Sequence, residues 1–230
     1  MPADGLTAAK RRLRLAMRGL RRAGFRPWHG QSAADLLRHA VLPSGSGASA
    51  DIAGPDTAGR DIAGPDIVGP GIVAGYWPMP GEADPLPALR MLAGHGWRTV
   101  LPDIVNLDGP GGIRAGRLEF RSWPVARGAP PPGAFGIPAP PPSEPALRPD
   151  LVLVPLLAAD PAGRRLGQGA GFYDRALAAL RQDGRPVLAV GWAMSAQVLR
   201  RVPDGPADMP LDWIVTERRA VRCRRQERTP

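Results

Sequence analysis

The stretch Leu151-Val-Leu-Val-Pro155, followed a few residues later by Arg164-Arg-Leu-Gly-Gln-Gly-Ala-Gly-Phe-Tyr-Asp174, decides how this chain is read. Four consecutive apolar residues ahead of a proline make a strand buried on both faces, because a strand with one wet face would alternate. Glycines at 167, 169 and 171 then make a turn, and Phe172 to Leu180 continues at helical spacing. Buried strand, glycine-rich turn and helix together form the repeating unit of a parallel sheet covered by helices.

The same signal recurs outward in both directions. Val187 to Val190 and Trp213 to Val215 read as further strands, with a helix expected between them near Ser195 to Arg200. Upstream, Ile72 to Tyr76 is a short buried strand. Asp84-Pro85 opens a helix that turns Leu86, Leu89 and Leu92 inward and stops at Gly94 or Gly96, with proline at its first position. Arg98 to Leu101 is the next strand, and Leu118 and Phe120 alternate with polar neighbours in another. Residues 6–26 form a helix in which Ala9, Leu13, Met17 and Leu20 pack while Lys10, Arg14, Arg18 and Arg21 line another face. A second helix is expected over Ser32 to Leu42, with Ser32 as N-cap. The fold class is α/β, a three-layer α/β/α arrangement around a mostly parallel sheet.

Length and composition bound the rest. At 230 residues the chain holds one sizeable core. Its 29 glycines and 29 prolines require long loops. They concentrate in 128–149, read as extended loop, and in 43–71, which contains the near-repeat Asp51-Ile-Ala-Gly-Pro and Asp61-Ile-Ala-Gly-Pro. Two copies make no solenoid, so 43–71 reads as a flexible insertion in a single domain spanning 1–217. The net charge of +9 sits at the ends, eight cations in 10–26 and six arginines in the tail 218–230, and leaves the body acidic. Nucleic acid is therefore not the expected partner, although a polyanion-binding tail stays open. One cysteine, Cys223, excludes an internal disulfide framework, and the apolar run Leu151 to Ala159 is about half a membrane span. The chain reads as a cytoplasmic monomer.

In parallel sheets, ligands bind at the C-terminal ends of strands, which is where the 164–174 segment falls. Alternating glycines let successive N–H groups face one concavity, an anion nest completed by the helix that follows. A plain strand-to-helix turn is the competing explanation. A Walker A loop is excluded, since Lys10 is the only lysine in the sequence, and Phe172 stands where the dinucleotide fingerprint needs glycine. A phosphate here would draw its cations from another segment, and the 6–26 stripe is the obvious donor. Asp174 and Asp212 are the carboxylates considered for Mg²⁺, each with a local alternative, helix cap or turn. Tyr76, Trp77 and Glu82 offer an aromatic wall and an acceptor. His29, His39 and His95 are too scattered for a metal trio or a catalytic triad.

With these residues in hand, the chain resembles the 5-formyltetrahydrofolate cyclo-ligase (methenyltetrahydrofolate synthetase) family. The resemblance is carried by Lys10-x-x-Leu13-Arg14, by Gly75-Tyr-Trp-Pro with Glu82-Ala-Asp84, by Phe135-Gly-Ile-Pro-Ala-Pro140, by Asp150 to Pro155 running through Asp160 to Arg165-Leu-Gly-Gln-Gly-Ala-Gly-Phe-Tyr-Asp174, and by Met209-Pro-Leu-Asp212. Phe172 departs from the family's usual tyrosine. The resemblance implies ATP- and Mg²⁺-dependent closure of 5-formyltetrahydrofolate to 5,10-methenyltetrahydrofolate through a phosphorylated formyl group, with ADP and phosphate released. It implies Lys10, Arg14 and Arg165 as catalytic phosphate ligands, and Arg165, Leu166, Gly167, Gln168, Gly169, Ala170, Gly171, Phe172 and Tyr173 as the ATP loop. Trp77, Glu82 and Gln168 to Phe172 would touch the folate, with Trp123 a further contact, and Asp174 and Asp212 would hold the metal. The alternative is a non-catalytic relative that binds nucleotide or nucleic acid through its basic ends.

Overall fold

A computed structural model of the chain describes residues 3–22, 30–41, 70–107 and 112–224. Among the described residues, four α-helices, α1 (Ala3–Arg22), α2 (Gly30–Val41), α3 (Leu86–Gly94) and α4 (Phe172–Gln182), accompany nine strands: β1 (Ile72–Ala74), β2 (Arg98–Val105), β3 (Arg117–Ser122), β4 (Leu151–Pro155), β5 (Ala158–Ala159), β6 (Arg165–Leu166), β7 (Leu188–Trp192), β8 (Trp213–Val215) and β9 (Ala220–Arg222). Seven strands form one sheet in the order β3-β2-β1-β4-β7-β8-β9, and β5 and β6 pair as a separate hairpin. The five inner strands are parallel, and β3 and β9 close the two edges antiparallel.

Alternation along the strands builds the two outer layers. Leu151 and Leu153 of β4 face the side covered by α2 and α3, through Leu37, Leu89 and Leu92. Val152 and Val154 face Ala176 and Leu177 of α4. A strand apolar at every position is what a sheet covered on both faces requires. The third cluster is smaller and lies at one end of the sheet, where Met17 and Leu13 of α1 meet Leu157, Ala158, Leu166 and Val202. The α/β reading, mostly parallel with helices on both sides, is the observed fold.

Some local expectations change. Ser32 lies inside α2, which begins at Gly30. Asp84 caps α3 through Leu86 N–H at 2.8 Å, and proline falls at Pro85 and Pro87 around the first helical residue. The helix expected near 195–200 is a single 3₁₀ turn, Ser195–Gln197. Buried Gln197 holds it short: its amide donates to the carbonyls of Leu156 and Leu157 while its oxygen accepts from Met194 N–H. Residues 220–222, assigned to the tail, form edge strand β9, and Cys223 N–H donates to Asp212 O. The body of the insertion, residues 42–69, and the last six residues, 225–230, lie outside the described residues, as do His29 and the end of the first helix expected beyond Arg22. Among the described residues no helix is long and apolar enough to cross a membrane.

Candidate active site

The strand order fixes where a ligand can sit. The chain goes outward from β1 to β2 and returns to the other side of β1 as β4, so the connections leaving β1 and β4 diverge and open a crevice between them. The β1 connection carries Gly75 to Asp84. The β4 connection carries the β5–β6 hairpin and the glycine loop 167–171. Helix α1, about 30 Å long at 1.5 Å per residue, lies across both. Lys10 pairs with Asp208, Arg14 Nε donates to Gly167 O at 3.0 Å, Arg18 reaches Gln168 through its side chain and its carbonyl at 3.0 Å each, and Arg21 Nη2 reaches Pro80 O at 2.7 Å. The cationic stripe thus meets the glycine loop although 153 residues separate Arg14 from Gly167.

Backbone geometry explains the glycines. Gly169 has φ +115° and Gly171 φ +73°, where a side chain is strained, and Gly169 lies against the Arg14 guanidinium. Gly171 is the N-cap of α4. Just before the loop, Arg165 is buried, with a side chain only 3% exposed. Its Nη2 donates to Asp174 Oδ1 at 2.6 Å, and Met209 N–H donates to the same oxygen at 3.1 Å. Arg165 Nη1 is the one buried side-chain nitrogen or oxygen among the described residues with no hydrogen-bond partner. Burial lowers the guanidinium's affinity for its proton, and Asp174, Tyr173 and Asp208 oppose that shift. An arginine stays protonated under these conditions, so a buried positive group keeps a spare donor two residues before the glycine loop.

The other end is aromatic. Tyr76 is buried and donates to Ala83 O at 2.5 Å. Glu82 accepts from Met79 N–H at 3.1 Å and from Arg21 at 3.3 Å. Tyr173 lies between the two ends: desolvation raises its pKa first, then the Glu82 charge, against Arg165, which lowers it. Tyr76 is raised well above its ordinary value, by burial and then by Glu82. Both phenols are therefore neutral donors at physiological pH. Trp77 is half-buried beside the core, and the Phe172 ring lies under the Arg175 guanidinium at 5.2 Å.

Lys10, Arg14, Arg165, the 167–171 loop, Tyr173 and Asp174 are thus brought together, and Arg21 of the same helix reaches Glu82. Leu166 is buried against α1 rather than turned to the crevice. Asp212 is not part of the group. It precedes β8, at the N-terminal edge of the sheet, where Oδ2 accepts from Ala189 N–H and Arg181 Nη2 at 2.8 Å each. Arg181 is in the last turn of α4 while Asp174 is in the first, about 10 Å apart along the axis. The carboxylate that does reach the site from this segment is Asp208, beside Lys10. Trp123 belongs to the core, its indole donating to Gly128 O at 2.9 Å under a stacked Arg127. Sequence reading gave no site role to Asp208 or Arg175, and named Arg18 and Arg21 only as part of the stripe offered as cation donor. The three-to-four-residue stripe already contained Arg18 and Arg21, whereas no local signal marked Asp208 or Arg175. Among the described residues, no three His, Cys, Asp or Glu side chains form a metal-binding group.

Residues 66–217 match the profile of the 5-formyltetrahydrofolate cyclo-ligase family. The chain is 31% identical over 156 residues to the 5-formyltetrahydrofolate cyclo-ligase of Mycolicibacterium smegmatis, covering 65% of this chain and 75% of that protein. It is 39% identical over 72 residues to the enzyme of that name from Escherichia coli, covering 31% of this chain and 38% of that one. In fold it is similar to the 5,10-methenyltetrahydrofolate synthetase of Aquifex aeolicus solved by NMR, with TM-score 0.64, 24% identity and 96% of each chain covered. It is also similar to the synthetase of that name from Mycoplasma pneumoniae, with TM-score 0.59, 18% identity and coverage of 90% and 98%.

Proposed function

We propose, from the premise that the chain belongs to the 5-formyltetrahydrofolate cyclo-ligase family, that it closes 5-formyltetrahydrofolate to 5,10-methenyltetrahydrofolate at the expense of ATP, in the crevice beneath α1. The observation that carries the ATP half is Arg165: a buried guanidinium with an unused donor, next to a glycine loop that Arg14 and Arg18 hold from helix α1. Burying a donor without a partner costs roughly 1–3 kcal/mol, a cost offset when an anionic oxygen arrives.

In this reading the loop amides and Arg165, Arg14 and Lys10 bind the triphosphate, and Trp77, Glu82 and Phe172 hold the folate. The formamide oxygen attacks the γ-phosphorus and ADP leaves. N10 then attacks the activated formyl carbon, its proton is lost, and the C–O bond breaks to release phosphate. Phosphoryl transfer of this kind needs alignment and charge neutralisation more than covalent help, which suits a site rich in cations and N–H groups. Tyr173, neutral and set between Glu82 and Arg165, would orient the formyl oxygen at the junction of the two substrates. Mg²⁺ takes one or two carboxylates plus phosphate oxygens, and Asp174, in the first turn after the glycine loop, and Asp208, beside Lys10, would supply them. When bound, the metal would screen the phosphate oxygens.

Purified protein incubated with 5-formyltetrahydrofolate should develop the near-ultraviolet absorbance of the methenyl product only when Mg-ATP is present. Product formed without ATP, or none with it, refutes the reading.

A further inference from the structure

The glycine loop is held by arginines that grip its carbonyl oxygens. Arg14 Nε donates to Gly167 O at 3.0 Å, Arg18 Nη2 to Gln168 O at 3.0 Å, and Arg175 Nη1 to Ala170 O at 2.9 Å. In a trans peptide the C=O of one residue and the N–H of the next point in opposite directions. Drawing these three carbonyls toward the arginines therefore turns the N–H groups of Gln168, Gly169 and Gly171 the other way. None of those three N–H groups donates a hydrogen bond among the described residues, and loop amides without protein partners are ready for a ligand.

Arg175 is the least expected member. A cation in the first turn of a helix opposes the helix dipole, so local energetics do not favour it there. What holds it is the Ala170 carbonyl together with Gly116 O, which accepts from Arg175 Nη2 at 2.7 Å and from Nε at 3.1 Å. Gly171 leaves room for this grip, since a Cβ there would lie 2.9 Å from Arg175 Nη1. Arg18 is committed twice over, its Nε holding the Gln168 side chain at 3.0 Å. Arg14 spends only Nε on the loop, which leaves its other nitrogens for an anion.

We infer that Arg18 and Arg175 are positioning residues for nucleotide: they orient the loop's amides toward the phosphates by binding its carbonyls, without being phosphate ligands themselves. The inference rests on the ATP reading of this crevice. Its effect falls on the nucleotide: neither side chain reaches Trp77 or Glu82, and the one folate-side contact, Arg175 against the Phe172 ring at 5.2 Å, is one that methionine can keep as a sulfur–aromatic contact.

The test compares the wild type with R18M, R175M and the conservative R175K. Each is checked by circular dichroism and thermal unfolding, then assayed for methenyl product against Mg-ATP and against folate, and titrated calorimetrically with Mg-ADP. R175M should raise the KM for Mg-ATP by roughly tenfold or more, the scale of one lost charge-assisted hydrogen bond, and weaken Mg-ADP to match. R18M, which loses a surface contact, should raise it about threefold. The KM for folate should stay within about twofold in both, and R175K should recover much of the loss by keeping one donor on Ala170 O. An unchanged KM for Mg-ATP, equal rises for both substrates, or a lower rate at unchanged KM, the signature of less folded enzyme, each overturns the inference. Should R175M fail to fold, R18M at the helix surface decides alone. A wild type that neither uses ATP nor binds Mg-ADP refutes the ATP reading itself and is thereby distinguished from a failure of the positioning role.

Discussion

Replacing Arg165 with methionine separates what that residue does for folding from what it does for chemistry. Two stability effects oppose each other. The variant loses the 2.6 Å pair with Asp174, but that carboxylate is 24% exposed and keeps Met209 N–H, so it is not stranded. The loss is then about 1–3 kcal/mol, below the range for a fully buried pair. Against it, the variant no longer buries Nη1 without a partner, a relief of roughly 1–3 kcal/mol. Unliganded stability should therefore change by less than about 2 kcal/mol, or under about 8 °C in Tm for a domain of this size. Catalysis has no such cancellation. Removing a preorganised charged donor from developing phosphoryl charge costs about 3–4 kcal/mol, a hundredfold or more in kcat/KM for Mg-ATP. The assay is methenyl absorbance with Mg-ATP varied at saturating folate, alongside thermal unfolding with and without Mg-ATP. At a hundredfold excess over Kd, ligand adds about 2.7 kcal/mol to the wild type, and little to the variant. Activity within tenfold of wild type, or an unliganded loss above about 4 kcal/mol, would refute the reasoning.

Other substitutions probe neighbouring assignments. Asp174→Asn and Asp208→Asn should each raise the Mg²⁺ concentration for half-maximal activity by about tenfold or more. Asp212→Asn should leave that requirement unchanged and lower stability by about 1–3 kcal/mol through its bonds to Arg181 and Ala189, and a raised requirement here would restore Asp212 to the site. Tyr76, which is buried, and Tyr173, which is partly buried, both have the phenol pKa raised, first of all by desolvation. Because each folded pKa lies above the unfolded value, their stabilisation is intact below about pH 10 and is lost as the pH climbs beyond it. Phenolate absorbance should then show no native ionisation near pH 10, and a tyrosine titrating normally before unfolding contradicts the buried placement. Gly171→Ala, forced to φ +73° with its Cβ against Arg175, should cost about 1–2 kcal/mol and raise the KM for Mg-ATP. An alanine variant with wild-type stability and KM removes the argument for a left-handed cap.

How much of this was legible depends on the range of each cause. Leu151 to Pro155 announced a doubly buried strand because its own neighbours carry the signal, and the cationic stripe of α1 followed from helical period alone. The 195–200 segment, in contrast, had helical composition, yet Gln197 ties it to carbonyls 40 and 41 residues away. β9 carried no strand pattern and exists because β8 offers it an edge. Asp208 and Asp212 sit four residues apart with similar local surroundings. Only the direction of β8 puts Asp212 at the edge remote from the crevice and leaves Asp208 beside Lys10.

The sequence by itself determined the layers, the glycine loop and the set of cations, since burial pattern, left-handed turns and helical period are properties of short stretches of chain. Tertiary structure alone decided which carboxylates and arginines meet that loop. Those meetings depend on strand order and on a helix folded back across more than a hundred residues, and no local pattern encodes the distance between two such segments.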